Sequence, residues 1–234
     1  MSTSVASILT DLARVEAQRS ARAVERDWAA QVVALKEYQQ SRFRRSYADL
    51  LDSPRYAAAA RFFLDELYGP RDFSQRDAQF ARVVPTLVRL FPHEIVVTVG
   101  MLARLHAISE ELDSTMARHL GSAAIDASAY VAAWQATGRP DDRESQIVLT
   151  LAVGSERDRL TRKPLLRQTL RWMRGPAHAA GLGALQEFLE LGFDTFKAMK
   201  GAGEFLSRIG DNERALALAL FGTRSDDALL GQLP

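Results

Sequence analysis

Residues Ser53–Phe91 read SPRYAAAARFFLDELYGPRDFSQRDAQFARVVPTLVRLF. Ser53-Pro54 is a helix start, with serine as cap and proline in the first turn. Four alanines and the Phe62-Phe63 pair follow at helical spacing. Gly69-Pro70 stops that helix: glycine fits the positive φ common just past a helix end, and proline cannot continue it. Ser74 caps the next helix, and Pro85 is expected to kink or split it. No part of the stretch alternates with period two, as a half-buried strand would. The stretch is helix, corner, helix.

The corner admits two readings. Phe62, Phe63 and Leu67 can face a core together, Tyr68 can anchor the bend through its hydroxyl, and Asp72 or Ser74 can accept from open helix amides. Arg76 and Asp77 fall in the first turn of the next helix, where an acid suits the dipole. That structural reading is the favoured one. The sharper one has Tyr68, Asp72, Arg76 and Asp77 surround a polar ligand, which requires a concavity.

The same grammar extends both ways. Residues 1–53 hold no Gly or Pro. Apolar positions at Val5, Ile8, Leu12 and Val15, then Trp28, Val32 and Leu35, have helical spacing, with the polar run QRSARAVERD between them. This is one long N-terminal helix, or two with a joint near residues 18–23. Protruding, its stripe would fit pairing with a second copy, hence a homo-oligomer. Further helices are expected from Pro92 to about Leu120, from Asp126 or Ser128 to Gly138, from Pro140 to about Lys163, and from Pro164 to Met173. Another should run from Gly175-Pro176 to about Met199, then two short ones at Glu204–Ile209 and Asn212–Phe221. The fold class is therefore all-α: a single-domain multi-helix bundle over 1–222, with 223–234 as a mobile tail.

Composition narrows the chemistry. The chain has 234 residues and a net charge of +1, so no global field draws nucleic acid or a membrane. It has no cysteine, which removes disulfides, thiolate catalysis and thiolate metal sites. Only four basic residues are lysines and 26 are arginines, which lowers the weight of any single arginine. The N-terminal MSTSVASILTDLARVEAQ lacks the basic and apolar regions of a secretory signal, and IVVTVGMLARL (95–105) is too short to span a bilayer. A cytoplasmic location fits.

Three blocks carry a resemblance: FFLDELYGPRDFSQRDAQFARVVP, SEELD at Ser109–Asp113, and LQEFLELGFDTFKAMKGAGEFL at Leu185–Leu206. Together they resemble a family of uncharacterised proteobacterial all-helical proteins. The resemblance implies a bacterial source and one helical domain, and it implies no activity, cofactor or partner.

The best metal set is His106, Glu110 and Asp113, which share one helical face. No Glu-x-x-His pair accompanies them, as carboxylate di-iron bundles require, and the bland alternative bonds His106 to Glu110. Haem ligation from a first helix has no histidine to use, since none precedes His93. The strongest charge feature is SERDRLTRKPLLRQTLRWMRG, where Arg167, Arg171 and Arg174 share a face that would suit an acidic protein partner. Internal pairing of those arginines is the bland alternative. No G-x-S-x-G, P-loop or G-x-G-x-x-G occurs, and no motif demands a cofactor. The first expectation is a protein that works by binding, in an adaptor role. The second is an enzyme or carrier of haem-oxygenase-like or ferritin-like architecture, holding a metal or an apolar small molecule between helices.

Overall fold

The computed structural model describes residues 4–67, 69–71, 73–90, 93–163, 165–222 and 231–234. Within them the chain forms α1 (Val5–Ala23), α2 (Arg26–Ser46), α3 (Ala48–Asp52), α4 (Ala57–Phe62), a π-helical turn (Phe63–Leu67), α5 (Ser74–Leu90), α6 (His93–Leu120), α7 (Ala127–Thr137), α8 (Pro140–Thr161), α9 (Leu166–Ala179), α10 (Gly183–Ala198) and α11 (Gly203–Phe221). No strand occurs among the described residues, and the all-α single-domain reading holds.

Local chemistry explains most boundaries. The Ser4 hydroxyl accepts from the Ser7 amide (3.1 Å) and Ser7 Oγ accepts from the Ser4 amide (3.0 Å), closing a reciprocal cap on α1. Asp126 accepts from the Ala129 amide and starts α7. Gly121 and Gly138, both at φ 61, end α6 and α7, and Pro140 opens α8.

Several expectations need correction. Of the two N-terminal readings the jointed one holds, with the turn at Val24-Glu25, just past the expected joint, and the short α3 following α2. The segment does not protrude, because α1 lies along α6 and α5. Helix α5 runs unbroken through Pro85, and α9 runs through Gly175-Pro176 to Ala179. The break after α9 comes instead at Gly181, φ 69. The two short C-terminal helices are one, α11. Phe91, Pro92 and Pro164 lie outside the described residues, as does 223–230 of the expected tail. Gly231–Pro234 are docked: Arg45 donates to the Leu233 carbonyl at 2.7 Å, and Leu233 is buried beside Tyr38, Tyr130 and Trp134.

Helix α6, about 42 Å long, is the central element. It contacts α1, α2, α5, α7 and α8. The apolar core forms three groups around it and beside it. One joins α1, α5 and the first half of α6 through Ile8, Val84 and Val99. A second joins α2, α7, α11 and the far end of α6 through Leu35, Met116, Tyr130 and Leu220. The third, largely aromatic, joins α2, α4, the π turn, α10 and α11 through Phe43, Phe62, Phe63, Phe196 and Phe205. Helices α8 and α11 meet by reciprocal exchange. A Cβ at Gly154 would lie 2.5 Å from Leu206 Cδ2, and one at Gly210 would lie 2.7 Å from Leu151 Cδ1. Each glycine admits the other helix's leucine.

Phe205 sits at the centre of the aromatic group, fully buried, with Phe63 edge-on at 5.4 Å and Tyr56 at 5.7 Å. Phe205→Ala is expected to cost about 3–5 kcal/mol, read as a lower midpoint in urea with an unchanged slope.

Candidate functional site

The opening corner has a specific backbone reason. The chain leaves α4 through the π turn, a one-residue widening that is frequent at functional sites. A Cβ at Gly69 would stand 2.8 Å from the Asp65 carbonyl oxygen and 3.2 Å from that of Leu64. Glycine serves close approach here. Tyr68 and Asp72 lie outside the described residues. Arg76 and Asp77 are described, and both line an internal cavity.

That cavity, about 170 Å³, lies between α2, α5, α6, α7, α8, α10 and α11. Its apolar wall includes Phe73, Phe80, Val99, Leu102 and Phe188. His106, with Asp77 beside it, lies on the wall that α5 and α6 share. A strongly polar part is formed by Lys36, Gln39 and Arg42 of α2, Asp113 of α6, and Tyr130 and Trp134 of α7.

His106, Glu110 and Asp113 all line the cavity but have separate partners. His106 Nε2 lies 2.9 Å from Asp77 Oδ2 and 3.2 Å from Arg19 Nη2, so its partner is Asp77 and not Glu110. Glu110 accepts from Arg22 at 2.6 Å and from Lys36 at 2.5 Å. Asp113 accepts from Gln39 at 3.1 Å. Among the described residues no three His, Asp or Glu side chains are grouped to hold a metal ion.

The two acids of α6 have opposite electrostatics. Burial would push Glu110 up, but Lys36 and Arg22 outweigh it and hold the carboxyl at about 2. Burial pushes Asp113 up, and Glu110 adds to the push against Lys36, Arg143 and the Gln39 hydrogen bond. Asp77 is also buried, yet His106 and Arg19 keep it below its usual range.

The other lining carboxylates are engaged as well. Arg42 donates through both Nη groups to Glu213, which also accepts from the Tyr47 hydroxyl at 2.7 Å. Glu66 accepts from Arg76 (3.1 Å) and Arg71 (3.3 Å). Among the described residues, Arg42 Nε and Trp134 Nε1 are buried donors without a hydrogen-bond partner. Trp134 did not stand out in the sequence, and Arg42 stood out only as one of a basic cluster with Arg44 and Arg45 beside Phe43 and Tyr47. Arg42 carried a signal, since it extends the buried stripe of Val32, Leu35 and Tyr38. Trp134 carried none beyond its apolar neighbours.

At the Phe188 side of the cavity two cations share one ring. Arg76 lies 4.4 Å and Arg157 4.8 Å from the Phe188 centroid. Arg157 makes no ion pair among the described residues, and burial, then Arg76, push its guanidinium down to about 10.

The basic face of α9 is largely satisfied within the chain. Arg167 bonds Glu190 (3.2 Å) and Asp194 (2.6 Å), and Arg174 Nε bonds Glu190 at 3.0 Å. Arg174 is the largest influence holding Glu190 at about 2. Arg171 is exposed beside Trp172.

Residues 18–227 match a family model described as a domain of unknown function, DUF8198. The chain belongs to that family. No curated protein and no solved structure matches it. Among the described residues no helix is long and apolar enough to cross a membrane.

The same acid-to-amide change is expected to act in opposite directions at the two acids. Glu110→Gln leaves Arg22 and Lys36 against a neutral group and should cost about 3–5 kcal/mol at neutral pH. Because the folded carboxyl is held low, the stability it supplies is present above its unfolded value, 4.5, and is lost as pH falls towards about 2. Asp113→Asn should raise the melting temperature at neutral pH, by about 2–4 °C for each kcal/mol recovered. A folded carboxyl held high contributes fully only below its unfolded value, 3.8, and loses that contribution as pH rises through its folded value. The gain should therefore shrink on acidification. Thermal melts of both variants from pH 3 to pH 8 check both signs.

Proposed function

We propose that the protein binds a small organic molecule in the α6 cavity, as a carrier or an enzyme. The observation that carries this is the pair of buried, unpartnered donors on a cavity wall that also has a broad apolar surface. A structural core leaves few buried donors without acceptors, because each such group costs about 1–3 kcal/mol. A mixed wall with a few placed polar groups is the common make-up of a small-molecule site. Arg76, Asp77, His106, Glu110 and Asp113 lining one space supports this reading over the adaptor reading favoured by sequence. His106 with Asp77, and Asp113 with its raised carboxyl, supply acid–base groups there should the bound molecule react.

The adaptor reading retains one observation of its own. Trp172 is 70% and Leu165 75% exposed, at and just before the outer edge of α9. Such a patch suits a protein partner or a second copy of the chain.

The cavity reading is tested by thermal melting with naphthalen-1-ol, a compact apolar probe. At about 100 times its Kd, a ligand of the folded state adds about 2.7 kcal/mol, a shift of several degrees for a chain of this size. Ala103 is buried and lines the cavity, so Ala103→Phe fills the space. That variant should keep its helical circular dichroism and lose the shift. A full shift with Ala103→Phe refutes a ligand site here, as does the absence of any shift of the wild-type protein with both naphthalen-1-ol and octanoate.

A further inference from the structure

The partners at the polar part of the cavity are unevenly distributed. Of the acceptors there, Glu110 is taken by Arg22 and Lys36, and Glu213 by Arg42 and Tyr47. Among the described residues, two cavity-lining side chains keep a buried donor without a hydrogen-bond partner, Arg42 Nε and Trp134 Nε1. An indole N–H and a guanidinium N–H can only donate. Both residues are more than nine-tenths buried, at 5% and 8% exposure, and both line the cavity.

They belong to one region. Tyr130 links them: its ring lies 6.2 Å from that of Trp134 and stacks at 4.8 Å on Tyr38, one turn before Arg42 on α2. The charges of Arg42 and Arg143 both act on the Tyr130 hydroxyl, which burial pushes up and so keeps as a neutral O–H. Arg143 lies over the Trp134 ring at 3.8 Å. Asp113, pushed towards its protonated form by burial, is a further donor when it carries its proton.

We infer that the bound molecule carries a carboxylate, and that Trp134 Nε1–H and Arg42 Nε–H hold its two oxygens while the apolar wall takes the rest of the molecule. This rests on the cavity being a ligand site and adds the ligand's class, an apolar monocarboxylic acid. The carboxylate fits for three reasons. It presents two strong acceptors to two donors that come from different helices, α2 and α7. It gains from a charge-assisted bond to arginine that an alcohol or amide cannot match. A doubly charged phosphate would suffer more from Glu110 and Glu213 on the same wall.

The test is calorimetric titration of the full chain with octanoate, octanamide and octan-1-ol. Octanoate should bind at least about tenfold tighter than either neutral analogue, the scale of one charged hydrogen bond. Trp134→Phe keeps an aromatic ring and removes the donor, and should weaken octanoate by about tenfold while leaving octan-1-ol unchanged. Arg42→Lys keeps a cation opposite Glu213 and removes the Nε–H, so it serves if Trp134→Phe does not fold. It should also weaken octanoate selectively. Equal affinity for octanoate and a neutral analogue, or undiminished octanoate binding by whichever variant folds, overturns the carboxylate while the cavity stands. If none of the three probes binds and naphthalen-1-ol also gives no shift, the cavity reading itself has failed.

Discussion

The carboxylate of Glu110 holds three helices in one place. It sits on the central helix α6, deeply buried, and takes Arg22 from α1 on one oxygen and Lys36 from α2 on the other. Around it the same seam is reinforced by Arg22 to Ser114 (2.7 Å), Trp28 to the Ser114 carbonyl (2.9 Å) and Arg14 to Glu111 (2.8 Å). Burying such charges repays its desolvation only when every partner is in position. The seam therefore stabilises less than its hydrogen bonds suggest, but it specifies strongly. A slip of α1 or α2 along α6 would leave a buried charge alone. Register on α6 is what sets Lys36, Gln39 and Arg42 facing the cavity.

The helical grammar was legible because it is local. Ser4 was not singled out, but Asp126, Gly138, Pro140 and Gly121 mark ends through chemistry within four residues, and each marks an end in the structure. The failures were also local rules, overridden by packing. Pro85 and Pro176 lie inside continuous helices, since proline removes one hydrogen bond and tertiary contacts can offset that loss. A break between Ile209 and Asn212 was expected and does not occur. Gly210 instead makes room for Leu151 within an unbroken helix.

The site was half legible. Spacing alone put His106, Glu110 and Asp113 on one face, and that face does meet the cavity. Which atoms meet is a matter of partners 29 to 88 residues away, and helical period carries no information about them. Among the described residues the three do not gather as a metal set: they share a face, but each has its own partners, Asp77 of α5 for His106, Arg22 of α1 and Lys36 of α2 for Glu110, and Gln39 of α2 for Asp113. The arginine face of α9 went the opposite way. Internal pairing was its bland alternative in sequence, and Glu190 and Asp194 of α10 do take up two of its three members.

What remains is an asymmetry between two acids one turn apart. Glu110 is held well below its usual range by two cations, and Asp113 is pushed above it with one amide for company. A fold selected for stability alone would gain by exchanging Asp113 for asparagine, which accepts the same Gln39 hydrogen bond without an ionised form to bury. Paired titratable groups driven apart in this way are the pattern by which a site obtains one charged and one protonated carboxyl at a single pH. Here Glu110 is consumed in holding α1 and α2, so the division is between architecture and chemistry. The acid that supports the fold is saturated, and the acid near Tyr130 and the unpartnered donors of α2 and α7 is the one that burial pushes towards its protonated form.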